Sequence, residues 1–276
     1  MAGEYSINQN QYVKDKLSEF DSIVGPGKSS SVLPENFLQS LADAETSTEV
    51  EEDFPYRNMV GSLMYAMTGT RFDIAFAISV VSKFLSNPKR EHCNLVRHIF
   101  KYLRGNPEQS ISYKSSPERA IKLECYADAA YANHFEYRST LGHCITINGV
   151  IVDWSSKCQK GTPAQSSTEA EYMSATSAAN SVVWFKELLG ELGFPQGTVT
   201  IYEDNEACIK LSKNPQDHSR TKHIQVRYHV IRQYVKDKVV KLEYISTKHQ
   251  LADALTKSLS GPRLRPIVKV LSQGGN

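Results

Sequence analysis

The residues best suited to chemistry in this 276-residue chain are four acids on four separate segments. They are Asp128 in YADAAYA, Glu171 in STEAEYM, Asp204 in IYEDNE and Asp253 in LADAL. Carboxylates that converge repel one another unless positive charge lies between them, and a pair of divalent cations supplies that charge. Magnesium prefers hard oxygen ligands, and two ions about 3.5 to 4 Å apart can serve an in-line phosphoryl displacement. If the fold brings the four acids together, they form a metal site for phosphodiester chemistry that needs no covalent nucleophile.

Each acid also has an ordinary structural interpretation. Asp128 could turn the chain at the end of a strand, and Glu171 could complete a capping box that begins at Thr168. Asp204 could cap the helix that follows it, and Asp253 could be a solvated surface acid. Taken singly these signals are weak. Their weight comes from their joint order on matching strands and helices.

The strands and helices that must position these acids can be predicted from the spacing of apolar residues along the second half of the chain. Alternating apolar residues predict three strands in antiparallel succession, the last two joined by an Asn148-Gly149 hairpin turn. A long helix from about residue 169, a strand TVTIYED, two helices, a strand VVKLEYIS and a helix from about Gln250 follow. This order predicts a mixed sheet with helices on its faces. If the first and fourth strands are parallel neighbours, Asp128 and Asp204 meet at one edge of that sheet.

The first half of the chain predicts helices and a linker. Residues 8–20 place apolar side chains on one stripe, which is typical of a short amphipathic helix. Residues 25–53 are rich in Gly, Pro and Ser and then in acids, without a sustained period, so we expect a loop or disorder there. Residues 56–103 predict three helices, the last of which stops near Gly105.

The bulk composition bounds the class of protein. With 40% apolar residues and a net charge of +2, the chain can bury a core, and its average charge indicates no partner. Charge is nevertheless uneven, because ten Lys or Arg oppose three acids between Lys210 and Lys248. Five scattered cysteines argue against a disulfide framework and a thiolate zinc site. No apolar run reaches the roughly 18 to 20 residues of a membrane span, so we expect an intracellular protein without a membrane partner.

Six sequence blocks occur in one order across the second half: YADAAYA, RSTLGHCITINGVIVDWSSKCQK, SSTEAEYMSA, IYEDNEACIKLSKNP, RTKHIQVRYHVIR and LADALTKSL. With them, residues 122–259 resemble the ribonuclease H domain of Copia-type retrotransposon Pol polyproteins. Upstream, YSINQNQYVKDKL resembles the tail of the reverse transcriptase, and FPYRNMVGSLMYAMTGTRFDIAFAISVVSKFLSNP resembles the connecting helical region. The chain departs from the family after Asp128, where Ala130, Tyr131 and Asn133 replace the usual second acid or Ser, Trp and Gly.

The resemblance implies an α/β fold. We expect a ribonuclease H-like mixed five-stranded sheet, with three antiparallel strands followed by two parallel additions, flanking helices and a small helical region in front. The corresponding segments are a reverse transcriptase tail helix (1–23), a flexible acidic linker (24–53), a helical connection region (54–118), a ribonuclease H-like domain (119–260) and a C-terminal tail (261–276).

The activity that the resemblance implies is two-metal hydrolysis of the RNA strand of RNA/DNA hybrids during reverse transcription, leaving a 5'-phosphate. Asp128, Glu171, Asp204 and Asp253 fall on the family's four metal-binding acids, for two Mg²⁺ ions that Mn²⁺ can replace. His249 lies near the mobile histidine of cellular ribonucleases H and is a candidate for proton transfer or product release. The expected location is a cytoplasmic virus-like particle or the nucleus.

Residues that could bind the hybrid flank the acids and lie in the basic stretch. Ser166, Ser167 and Asn205 could read a 2'-hydroxyl across the minor groove, although the serines could equally cap a helix. The phosphates could be tracked by four basic residues, or these could form a solvated helix face: Arg220, Lys222, Arg227 and Arg232.

A rival interpretation is a catalytically inactive nucleic-acid-binding or scaffold remnant of a transposon Pol protein. No Tyr-x-Asp-Asp motif occurs in the chain, so we expect no DNA synthesis from it and regard a separate polymerase region as a partner. That missing region and the altered residues after Asp128 favour the remnant. The presence of all four acids favours the nuclease.

Overall fold

A computed structural model describes residues 3–114, 120–133, 137–213 and 230–274 of the chain. The chain divides into two compact units, of which the first comprises Met1–Ser115 and Lys257–Gln273. The second comprises Ser116–Thr256 and Gly274–Asn276. No helix within the described residues is long and apolar enough to cross a membrane.

The first unit begins with strand β1 (Glu4–Asn8), which pairs antiparallel with β2 (Ser110–Lys114). Between these strands lie the helices α1 (Asn10–Glu19), α2 (Asp21–Val24), α3 (Phe37–Thr46), α4 (Tyr56–Gly69), α5 (Ala75–Val81) and α6 (Arg90–Gly105). The helices around residues 8–20 and 56–103 were predicted from apolar periodicity. The strand pair was not predicted.

The second unit carries strands β3 (Leu123–Ala130), β4 (Thr140–Ile147) and β5 (Val150–Cys158), helix α7 (Ser167–Glu191), strand β6 (Val199–Glu203), helices α8 (Glu206–Lys213) and α9 (Val230–Lys236), and strand β7 (Val240–Tyr244). Two short 3₁₀ segments follow, Thr247–His249 and Leu251–Leu255. Helix α10 (Gly261–Gln273) then belongs to the first unit.

The expectation of a loop or disorder for the linker 24–53 is wrong for part of its length. Helix α3 lies within it and buries Phe37, Leu41 and Ala44. The Phe37 ring packs edge-on against Phe76, with the ring centroids 5.9 Å apart. These apolar residues recur at helical spacing, but the surrounding Ser and acidic residues conceal the stripe in the sequence.

The chain end also differs from expectation. The helix predicted from about Gln250 is a short 3₁₀ segment, and residues expected to form a tail form α10 instead. Helix α10 buries Leu264, Ile267 and Leu271, which lie on one helical stripe. Its apolar face therefore contributes to the core of the first unit.

The sheet of the second unit has the predicted arrangement. Its strand order within the described residues is β5-β4-β3-β6-β7. Strands β3, β4 and β5 are antiparallel in succession, while β6 is parallel to β3 and β7 is parallel to β6. At the hairpin between β4 and β5, Asn148 and Gly149 both have positive φ, as the type I′ turn requires. The ribonuclease H-like fold class is thereby confirmed.

Helix α7 packs on this sheet and forms the core with it. The alternate residues Cys125 and Ala127 of β3 lie in one buried cluster with Tyr172 and the small residues Ala175, Ala178 and Ala179 of α7. Small side chains let the helix approach the strands closely, which brings residues near its N-terminus close to the sheet edge. Trp184, farther along α7, is 57% exposed.

Candidate functional site

Three of the four predicted acids converge in the second unit. Asp128, Glu171 and Asp204 each present a carboxylate oxygen, and these three oxygens lie within 4.8 Å of one another. Asp128 and Glu171 are buried, whereas Asp204 is partly exposed. The group therefore opens to solvent on the side of Asp204.

Asp128 lies inside strand β3 and not at its end, since the strand continues to Ala130. It stands opposite Gly142 of β4. The Thr256 hydroxyl donates to its Oδ2, and the Ser174 hydroxyl donates to its backbone carbonyl at 2.8 Å. A Cβ at Gly142 would lie 2.5 Å from Thr256 Cγ2, so glycine lets the segment that carries Thr256 approach the strand. Thr256, directly after the 3₁₀ segment Leu251–Leu255, thus holds the carboxylate of Asp128, and Ser174 of α7 holds its backbone.

Glu171 lies in the second turn of α7. The helix is capped by Ser166, whose hydroxyl accepts the Glu169 N–H at 3.1 Å, and Glu169 in turn accepts the Gln165 N–H at 2.7 Å. The alternative that Glu171 completes a capping box with Thr168 is therefore wrong. The helix begins earlier than the sequence indicated, and Glu171 contributes its carboxylate to the group of three.

Asp204 directly follows strand β6. The Thr247 hydroxyl donates to its Oδ2 at 2.7 Å. The cap of α8 is Asn205, whose side-chain oxygen accepts the Cys208 N–H at 3.0 Å. Capping therefore does not explain Asp204, because the next residue fills that role.

A fourth carboxyl beside the group, Glu203, was missed from the sequence. It is fully buried, and its Oε1 accepts the Asn205 N–H at 3.1 Å. Burial raises the pKa of Glu203 well above its usual range, and the negative charges of Asp128 and Asp204 raise it further, against a lowering effect of the Asn205 N–H. The sequence did hold a signal for the burial of Glu203. Val199, Ile201 and Glu203 alternate along β6, which puts all three on one face of the strand.

Asp253 and His249 lie apart from this arrangement. Asp253 is buried in the 3₁₀ segment Leu251–Leu255, and the carboxylate group found among the described residues does not include it. Its backbone carbonyl accepts the Thr256 N–H at 3.2 Å, which places it one turn from the residue that holds Asp128. His249 is exposed in the segment Thr247–His249. The proposed roles of both residues stay predictions.

The residues predicted to contact substrate differ in whether the structure leaves them available for it. Ser166 and Asn205 are engaged as helix caps, whereas Ser167 is exposed in the first turn of α7. The Arg232 Nε donates to the Leu211 carbonyl at 3.1 Å, and its guanidinium lies 5.9 Å from the Tyr172 ring. This packing does not match the predicted solvated or phosphate-tracking face. The other three basic candidates lie outside the described residues: Arg220, Lys222 and Arg227.

The donor set fits a divalent cation of the magnesium type. All three converging groups are carboxylates, which are hard oxygen ligands. Two of them are buried, where negative charges repel most strongly when no cation lies between them. Burial raises the pKa of the nearby Cys208 thiol well above its usual range, which disfavours the thiolate form that metals bind. The residues present therefore suit Mg²⁺ better than a thiophilic metal.

Comparison with known proteins gives relatives over nearly the whole chain. No family model matches it. It is 40% identical, over 91% of its length, to the retrovirus-related Pol polyprotein from transposon TNT 1-94 of Nicotiana tabacum. It is 36% identical, over 92% of its length, to the corresponding polyprotein from transposon RE1 of Arabidopsis thaliana. These alignments cover 19% and 17% of the relatives, so the chain spans less than one fifth of their length.

Among solved structures, the chain is similar to LC11-RNase H1 in complex with an RNA/DNA hybrid. The two are 17% identical with a TM-score of 0.37, and the match covers 49% of this chain and 94% of that one. The fold of the second unit is defined independently by its own strand order and directions.

Proposed function

Because this chain belongs to the retrovirus-related Pol polyproteins of transposons, we propose that it is an endonuclease that hydrolyses the RNA strand of RNA/DNA hybrids. The observation that supports this most directly is the convergence of Asp128, Glu171 and Asp204 within 4.8 Å. The proposal includes a two-metal mechanism, a Copia-type element as the source, and an intracellular role in reverse transcription.

The residues that would hold the cations are Asp128 and Glu171 on the buried side and Asp204 on the solvent side. Bound Mg²⁺ would supply the charge neutralisation and the activation of water that phosphodiester hydrolysis requires. The chain's own contribution is to hold the ligands in place. Hydroxyls of Thr256 and Thr247 orient Asp128 and Asp204, and such outer partners tune both affinity and geometry at metal sites.

Glu203 has a different place in this proposal. Burial and the charges of Asp128 and Asp204 raise the pKa of Glu203, which disfavours a further negative charge beside the three converging carboxylates. Through Asn205 it also fixes the backbone turn that carries Asp204. We therefore assign it to the support of Asp204.

Substrate contact is proposed for residues beside the carboxylates. Ser167 is the better candidate for a 2'-hydroxyl, because it is exposed, whereas Ser166 and Asn205 already cap helices. Phosphate contacts stay assigned to the basic residues of the segment 214–229, whose positive charge would make hybrid binding depend on salt.

Cleavage of a labelled RNA/DNA hybrid with Mg²⁺ tests the function. We expect the parent to cleave the RNA strand and Asp204→Asn to lose that cleavage at equal folded content. Asp237→Asn is the matched control, since Asp237 is an exposed acid of the same unit that accepts hydrogen bonds from Gln233 at 2.8 Å. It should cleave like the parent, and chelation of the metal should stop both.

Inactivity of the folded parent with either Mg²⁺ or Mn²⁺ would reject the nuclease. Hybrid binding that persists in chelator would then support the inactive, nucleic-acid-binding remnant. An Asp253→Asn variant adds a separate result, because unchanged cleavage would remove Asp253 from the ligand set without affecting the other three acids.

A further inference from the structure

An open groove of about 510 Å³ in the first unit is lined by residues of helices α1 and α4. The lining residues include Tyr12 and Lys16 from α1, and Arg57, Asn58, Gly61 and Tyr65 from α4. Aromatic, cationic and amide groups thus share one concave surface. None of them takes part in the carboxylate group of the second unit.

The aromatic part of the groove consists of Tyr12 and Tyr65, whose ring centroids are 4.7 Å apart. The Tyr12 hydroxyl donates to the Ser62 carbonyl at 3.2 Å, which holds that ring in position. Tyr65 is 60% exposed although it rests on Tyr12. A supported and exposed ring of this kind can stack on a planar base with little loss of side-chain freedom.

The charged part of the groove is cationic. The Arg57 Nε donates to the Leu85 carbonyl at 2.8 Å, which orients an exposed guanidinium. The Lys16 ammonium lies 5.8 Å from the Tyr12 ring centroid and 2.6 Å from the Glu19 carboxylate. Glu19 therefore offsets one of the two positive charges, and an anionic ligand would compete with it for Lys16.

Gly61 forms the floor between these groups. It lies four residues from both Arg57 and Tyr65, so the three share one face of α4. Among the described residues, a Cβ at Gly61 would meet no atom within 4 Å, so packing against them does not require glycine there. Glycine weakens a helix interior, but its small size leaves room for a ligand to approach the backbone.

We propose that this groove binds single-stranded nucleic acid, with a base stacked on Tyr65 and the neighbouring phosphates at Arg57 and Lys16. Stacking on a side chain requires an unpaired base, which favours a single strand over a duplex. Cationic side chains contact the phosphates of the strand, and an aromatic ring can stack on any base, so this combination binds single strands without sequence preference.

Fluorescence anisotropy with a labelled oligothymidine tests the proposal on the full chain in EDTA. Without metal, binding at the groove is measured separately from any cleavage by the second unit. Tyr65→Ala should weaken binding about tenfold, which is within the range for loss of one stacked base. Tyr5→Ala is the aromatic control, because Tyr5 is 70% exposed in the same unit and does not line the groove.

Two further comparisons separate the groove from general effects. Gly61→Leu puts a good helix former into open space, so the melting temperature should not fall while binding weakens. Lys16→Ala should weaken binding and lower its salt dependence, and Lys14→Ala should not. The two lysines are matched, since both lie on α1 and each forms an ion pair. Lys16 pairs with Glu19 at 2.6 Å, and Lys14 pairs with Glu108 at 2.7 Å.

Removal of the competing carboxylate by Glu19→Gln should tighten oligothymidine binding. Parent-like binding by both Tyr65→Ala and Gly61→Leu would overturn the proposal. So would equal losses from Lys14→Ala and Lys16→Ala, because that result indicates unspecific attraction to surface charge.

Discussion

The substitution Asp204→Asn should stabilise the protein when no divalent cation is present. The carboxylate oxygens of Asp204, Asp128 and Glu171 lie within 4.8 Å of one another. At an effective dielectric constant of about 20, two unit charges at that distance repel by about 3.5 kcal/mol. Asp204 has two such neighbours, but its partial exposure screens the repulsion, so we expect a net gain of about 2 kcal/mol. The amide oxygen of asparagine can still accept the Thr247 hydroxyl, so that hydrogen bond should be kept.

Thermal melts in EDTA and in Mg²⁺ measure this effect. A gain of about 2 kcal/mol should raise the melting temperature of the second unit by roughly 4–8 °C. Added Mg²⁺ should reverse the order, because a ligand at 100 times its dissociation constant stabilises its folded site by about 2.7 kcal/mol. The parent should show this increase in stability when Mg²⁺ is added, whereas Asp204→Asn should show only a small part of it.

The control and the refuting outcomes follow from the same geometry. Asp237→Asn removes an exposed acid away from the group and should change the free energy of unfolding by less than about 0.5 kcal/mol in either medium. If Asp204→Asn melted below the parent in EDTA, charge repulsion would not be the main term at this site. An equal response of parent and variant to Mg²⁺ would refute Asp204 as a ligand.

Two other predictions concern strand β4. Burial lowers the pKa of His143 to about 4, and the positive charge of Lys157 lowers it further. Because the unfolded state then binds more protons, the free energy of unfolding should fall as the pH drops from about 6.5 to 4. His143→Phe should remove this dependence, so at pH 5 it should avoid a loss of about 2 kcal/mol that the parent shows in urea melts. Gly142→Ala should lower both the melting temperature and hybrid cleavage, because its Cβ would lie 2.5 Å from a Thr256 methyl. Gly190→Ala lies in α7, where no atom of the described part of the chain is within 4 Å of the new Cβ, so it should raise the melting temperature and keep cleavage. A change of melting temperature in the same direction for both glycine variants would contradict the steric argument.

Much of the second unit could be predicted because its signals are local. The alternation that marks β3 to β5 comes from neighbouring residues, and the Asn148-Gly149 turn follows from the backbone freedom of two residues. The order of strands and helices then limits the sheet to few arrangements, of which the observed one was expected.

Local signals were less informative at the ends of elements. Ser166 and Thr168 are both suitable helix caps, and only the hydrogen bond from the Glu169 N–H to Ser166 distinguishes them. The same holds for Asp204 and Asn205 before α8. In both cases the choice decided whether an acid was used for capping or was available to the carboxylate group.

The sequence by itself determined the types of most elements of the second unit, the arrangement of its sheet and a set of four acids that could bind metal. Only the tertiary structure decided which acids converge: Asp128, Glu171 and Asp204 do, whereas Asp253 lies outside their group. It also placed Glu203 beside them, where burial raises the pKa of that acid. The reason is that periodicity and capping depend on residues a few positions apart, whereas distances between carboxylates and their desolvation depend on strand pairing and helix packing between residues far apart in the chain.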